Sequence, residues 1–162
     1  MKTRTGFLIF SILLNWPMVC SAEELGGGYS LSPPENWTVK RFPGATYKIV
    51  ITQPVNNFSP NINLVDEEFN GSMDEYVAES FEILQQGYNA KKVSETLFSA
   101  DNADGIKLTA DTEINGKKVR QIFYFFQNSL GQKVVVRASS GRRSASALEK
   151  EFDSILHTFR VN

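Results

Sequence analysis

The sequence predicts an α+β fold: a largely antiparallel sheet with helical cover on both faces. Three observations lead there. Asn115-Gly116 is a strong hairpin signal between two long strand-like runs, because both residues tolerate the left-handed backbone that a tight antiparallel turn needs. The second of those runs is apolar on both faces, with Ile122, Tyr124 and Phe126 on one side and Val119, Phe123 and Phe125 on the other. A strand of that kind must be covered on both sides. Two further segments carry helical stripes able to supply the cover.

Taken in order, residues 1–22 read as a secretory signal peptide. Lys2 and Arg4 give a basic start, Gly6 to Leu14 is a nearly unbroken apolar run, and Pro17 breaks it. Cys20 and Ala22 place small side chains at the −3 and −1 positions, so cleavage is expected between Ala22 and Glu23. The run is too short for a spanning helix, which needs about 20 apolar residues. An alternative is a lipoprotein anchored at Cys20, although Pro17-Met18-Val19 is a poor match to a lipidation signal. Residues 23–28, ending in three glycines, read as a flexible lead, and residues 29–162 as a single domain.

Tyr29-Ser30-Leu31 starts a strand that Pro33-Pro34 ends, and Trp37 with Val39 marks a second extended piece. After the turn at Pro43-Gly44, Ala45 to Thr52 is a strand rich in β-branched residues. Asn61 to Glu67 follows, with Ile62 and Leu64 on one face. Ser72 and Glu75 form a capping box. Behind it Met73, Tyr76, Val77, Phe81 and Leu84 share one stripe, so residues 73–86 are a helix with Gly87 as its stop. Lys91 to Ser99, Ile106 to Ile114, Lys118 to Gln127 and Lys133 to Ala138 complete an antiparallel meander. Ser146 with Glu149 reads as a second capping box. Leu148, Phe152, Ile155, Leu156 and Phe159 then lie within an arc of about 100° on a closing helix.

Composition excludes several function classes. The 162 residues carry 17 basic and 18 acidic side chains, so no charge excess points to nucleic acid. Cleavage after Ala22 would remove the one cysteine, and with it thiol catalysis, disulfides and cysteine-ligated metal. No cofactor motif is present. Asp101-Asn102-Ala103-Asp104-Gly105 lacks the spacing of a calcium loop, and no metal site is expected. The one histidine, His157, falls opposite the apolar stripe with Asp153 one turn earlier, a surface pair with no serine placed to complete a triad. Asp66 and Glu68 are the carboxylates an acid–base hydrolase would use if a cleft brought them together.

Basic residues recur at Lys117, Lys118, Arg120, Lys133, Arg137, Arg142 and Arg143. Lys118, Arg120 and Arg137 are expected to form one patch near the end of the last hairpin, facing an anionic or acidic partner. Trp37 is read either as a lid on the core or as an exposed aromatic anchor of that partner surface.

Several spacings together resemble a PsbP-like domain. They are Tyr29-Ser30-Leu31 with Pro33-Pro34 and Trp37, Phe42-Pro43-Gly44, and Asn61-Ile62-Asn63. Asn115-Gly116-Lys117 before the aromatic strand, Gly131 through Val136, and the helix bearing Phe152, Ile155 and Phe159 complete the set. That family takes in the extrinsic photosystem II subunit and bacterial exported relatives, including DcrB-type periplasmic proteins. The resemblance implies an α/β/α sandwich on a central, largely antiparallel sheet, and a non-enzymatic binding or accessory role toward a protein or envelope component. With the signal, it places the chain in the periplasm or outside the cell.

Overall fold

The computed structural model describes residues 21–161. The signal run and Cys20 lie outside the described residues. Nine strands and two helices follow in the order β1 (Glu23–Gly26), β2 (Tyr29–Leu31), β3 (Trp37–Lys40), β4 (Ile49–Thr52), β5 (Asn61–Glu67), α1 (Met73–Tyr88), β6 (Lys91–Ser99), β7 (Asp104–Ile114), β8 (Lys117–Gln127), β9 (Lys133–Gly141) and α2 (Ala145–Leu156). Seven strands form one sheet in the order β3-β4-β5-β9-β8-β7-β6, antiparallel throughout, and β1 with β2 makes a separate ribbon.

The hairpin forms where the dipeptide places it. Asn115 and Gly116 both take positive φ, 51° and 74°, and β7 and β8 pair without a break from Ile114↔Lys117 to Ile106↔Phe125. The two-faced strand is the hub. On one side Ile122, Tyr124 and Phe126 join Val134 and Val136 of β9 beneath Leu148, Phe152, Ile155 and Leu156 of α2, with Phe159 just beyond the helix. On the other side Phe123 and Phe125 pack with Leu108 and Val135 beneath Tyr76 and Val77 of α1. The fold is thus an α+β sandwich with a buried, antiparallel middle layer.

The α1 layer is narrower than the sheet. The helix contacts β7 and β8, while on the same face Ile49 and Ile51 are only half-buried and Val65 is 54% exposed. One half of that face therefore has no helix over it.

Four details depart from the sequence expectations. Residues 23–28 are no flexible lead. Glu23–Gly26 pairs with Tyr29–Leu31, and Leu25, 1% exposed, enters the core, because one apolar side chain and three glycines suffice for an anchored ribbon. The strand expected from Ala45 begins only at Ile49. Lys48 N–H donates to Leu25 O, which draws residues 45–48 toward the ribbon. The helix α1 keeps its capping box, with Ser72 Oγ accepting from Glu75 N–H and Glu75 Oε2 from Ser72 N–H. It runs through Gly87, however, and ends at Asn89, whose left-handed φ of 48° closes the helix. Finally, α2 starts from Ser144 after a short 3-10 turn, so Ser146 lies inside the helix and the expected box with Glu149 does not form. Ser144 Oγ donates to Gly141 O instead of capping, and Glu149 accepts from Lys107 of β7.

Candidate functional site

The sequence-predicted site residues do not gather as one surface. Trp37 is a core residue, 5% exposed. Its Nε1 donates to Glu151 Oε1 at 2.7 Å and its ring stands edge-on to Phe152, so the exposed-anchor alternative falls. Lys118 and Arg120 share a face of β8, but Arg137 lies on the opposite face of the sheet. Its partner across to β8 is Phe123, an odd number of residues from Arg120, and side chains alternate along a strand. Register decided this, and one sequence does not reveal register.

His157 ends α2 with its ring stacked on Phe98 and Nδ1 2.7 Å from Ser99 O. Asp153 turns away from it, accepting from Tyr124 Oη at 2.7 Å and Lys107 Nζ at 2.8 Å. The expected surface pair therefore does not form. Asp66 and Glu68 do not meet in a cleft either. Both oxygens of Asp66 accept tyrosine hydroxyls, Tyr47 at 2.7 Å and Tyr29 at 2.9 Å, while Glu68 borders a different cavity beside Phe69 and Leu130.

Three connections instead build one cleft at the hairpin end of the sheet. The β4–β5 loop contributes Asn56, Asn57 and Phe58; the β7–β8 turn contributes Gly116, Lys117 and Lys118; the β9–α2 junction contributes Gly141, Arg142 and Arg143. The cavity measures about 510 Å³. In the loop, Asn56 and Asn57 adopt positive φ, 52° and 61°, a conformation asparagine tolerates better than most residues. Reciprocal backbone bonds between Val55 and Phe58 close this turn and set Phe58 against Gly141, where an added Cβ would meet the ring's own Cβ at 3.4 Å.

Charge in the cleft is lopsided. Asp111 binds Arg120 through both oxygens, at 2.6 and 3.2 Å, and also accepts Arg142 Nη1 at 2.7 Å. One carboxylate thus holds two guanidiniums. Glu113 stands opposite Lys118 in the hairpin without a contact of 4 Å or less, and Lys117 and Arg143 have no ion pair among the described residues. The net positive field draws anions toward a rim fixed by the sheet. The pattern Pro54…Asn56-Asn57-Phe58…Pro60 is the sequence signal for this loop, but nothing local shows that it folds against Arg142.

Tyrosines seal the other polar junctions. Tyr76 donates to Glu67, and Tyr124 to Asp153. Burial first, and then the adjoining carboxylate, pushes the phenols of Tyr47, Tyr76 and Tyr124 far up, and burial is likewise the largest cause of the upward shift of Tyr29. A raised phenol keeps its full stabilising effect below its unfolded value near 10 and loses it as pH climbs through the folded value. Tyrosinate absorbance during alkaline titration should therefore show these four rings ionising together with unfolding. Their ionisation in a chain still folded by circular dichroism would contradict the arrangement.

Among the described residues no cluster of three or more His, Cys, Asp or Glu side chains forms a metal site, and no helix is long and apolar enough to cross a membrane.

No family model matches the sequence, and no curated protein does either. Solved structures do. Cyanobacterial PsbP from Synechocystis superposes with a TM-score of 0.63 at 13% identity, over 89% of this chain and 94% of its own. LpqN of Mycobacterium tuberculosis, involved in cell envelope biogenesis, gives 0.63 at 14% identity over 88% and 91%. PA94 of Pseudomonas aeruginosa, a protein of unknown function, gives 0.60 at 10% identity over 78% and 98%. The chain has the PsbP-like fold.

Proposed function

We propose that this PsbP-like chain is an exported, non-enzymatic accessory protein that presents the basic cleft at its hairpin end to an acidic surface of an envelope partner. The observation that carries this reading is the cleft itself: Lys117, Lys118, Arg142 and Arg143 converge from separate connections around Phe58, over a rigid sheet end. Rim charges of this kind set orientation and rate of encounter more than raw affinity, and they respond to salt. Two further features support export. Among the described residues the first strand begins at Glu23, the residue expected after signal cleavage, and one structural neighbour acts in envelope biogenesis.

The test is a photo-reactive side chain at Asn57 in the native envelope. A discrete adduct is expected, weakened by added salt and lost when Lys117, Lys118 and Arg143 are all changed to Glu. An adduct indifferent to those changes would defeat the proposal, as would substrate turnover abolished by a single substitution. Mass spectrometry of the mature N-terminus should read Glu23; an acylated Cys20 would establish the lipoprotein alternative instead.

A further inference from the structure

A second cleft lies away from the basic one, where the sheet splits. The strands β4 and β5 pair only through Val50↔Ile62 and Ile51↔Asn61, after which β5 continues to Glu67 bound to β9 alone. Residues 45–48 peel off toward the ribbon and leave a cavity of about 370 Å³ against Asn63 to Asp66, on the half of the sheet without helical cover.

Arg137 of β9 lines this cavity. It pairs with Asn63 across the strands, has no carboxylate within 4 Å among the described residues, and its buried Nε meets no acceptor. Burial pushes its guanidinium down from its ordinary value, with only Tyr88 acting the other way. The sheet's other buried and half-buried cations are satisfied: Lys107 by two carboxylates, Arg120 by Asp111, and Lys133 by the Gln127 side-chain oxygen. Arg137 as a residue is half-buried, but burying its Nε–H without an acceptor is costly, and no protein oxygen offsets that cost.

We infer that the Arg137 cleft binds a carboxylate carried on a short apolar stem. The guanidinium fork matches a carboxylate edge through two parallel hydrogen bonds. Ile49, Val65 and the Tyr47 ring supply apolar wall for the stem. A dianion fits less well. One positive charge would leave it half-neutralised beside Asp66, whose own oxygens are held by Tyr29 and Tyr47.

The experiment titrates the full chain with sodium hexanoate, with a short blocked peptide containing one glutamate, with its glutamine counterpart, and with inorganic phosphate. Saturable binding of hexanoate points to a free carboxylic acid as the natural source, and binding of the glutamate peptide alone to a side chain of a partner. In either case Arg137→Met should weaken binding by about tenfold or more, while the unliganded variant melts no lower than the parent. Arg137→Lys, which keeps the charge and loses the fork, should fall between them. The inference is overturned if neither carboxylate binds, if phosphate or the glutamine peptide binds as well as they do, if Arg137→Met leaves binding intact, or if that variant melts markedly lower.

Discussion

Deleting residues 148–162 should abolish cooperative unfolding altogether. The deletion removes Leu148, Phe152, Ile155, Leu156, Phe159 and Val161, all buried in the larger core. At about 1.5–3 kcal/mol for each fully buried side chain, the gross loss is roughly 9–18 kcal/mol, against a total stability of about 5–15 kcal/mol for an ordinary domain. It also uncovers Ile122, Tyr124 and Phe126, which face α2 on the central strand. Thermal melts followed by near-ultraviolet circular dichroism should show no sigmoidal transition. A shortened chain that still melts cooperatively would mean that the sheet and α1 form a self-sufficient unit, and the sandwich description would be wrong.

Lys107→Met should be the most damaging single substitution among the polar groups. Lys107 is 9% exposed in the sheet, with Nζ 2.9 Å from Glu149 and 2.8 Å from Asp153, one turn apart on α2. Its removal leaves two like charges facing an apolar layer, with Tyr124 Oη still donating to Asp153. Breaking a fully buried pair costs about 3–5 kcal/mol. Because both carboxylates keep nearly a third of their side-chain surface, solvent screening reduces that to about 2–3 kcal/mol. Urea denaturation reads the change as a lower midpoint at constant slope. Adding Glu149→Gln and Asp153→Asn to the same chain should recover much of the loss, since no charge is then left without a partner. If Lys107→Met alone proves neutral, the ion pairs do not hold α2 to the sheet.

What could be read from the sequence was what local chemistry decides. The capping box at Ser72 and Glu75, the Asn115-Gly116 turn, and the double-sided grease of Val119 to Phe126 each depend on residues within a few positions of one another. Long-range pairing decided the rest. Glu149 looks like a capping residue until Lys107 arrives from another strand, and Asp153 looks like the partner of His157 until Tyr124 does. Arg137 and Arg120 look like neighbours until the register puts them on opposite faces. The candidate site follows the same division. Its cations were visible as a cluster of basic residues, whereas the seat of Phe58 against Gly141, which gives the cleft its wall, joins residues far apart in the chain.

The ribbon carries a consequence for how this molecule comes into being. Ser30 and Arg160 exchange backbone hydrogen bonds, with Arg160 N–H donating to Ser30 O at 2.8 Å, so the first strands are tied to the last residues. A polypeptide emerging from a ribosome cannot make that tie until Arg160 has appeared, so β1 and β2 are made early and acquire this neighbour only after α2 has been synthesised.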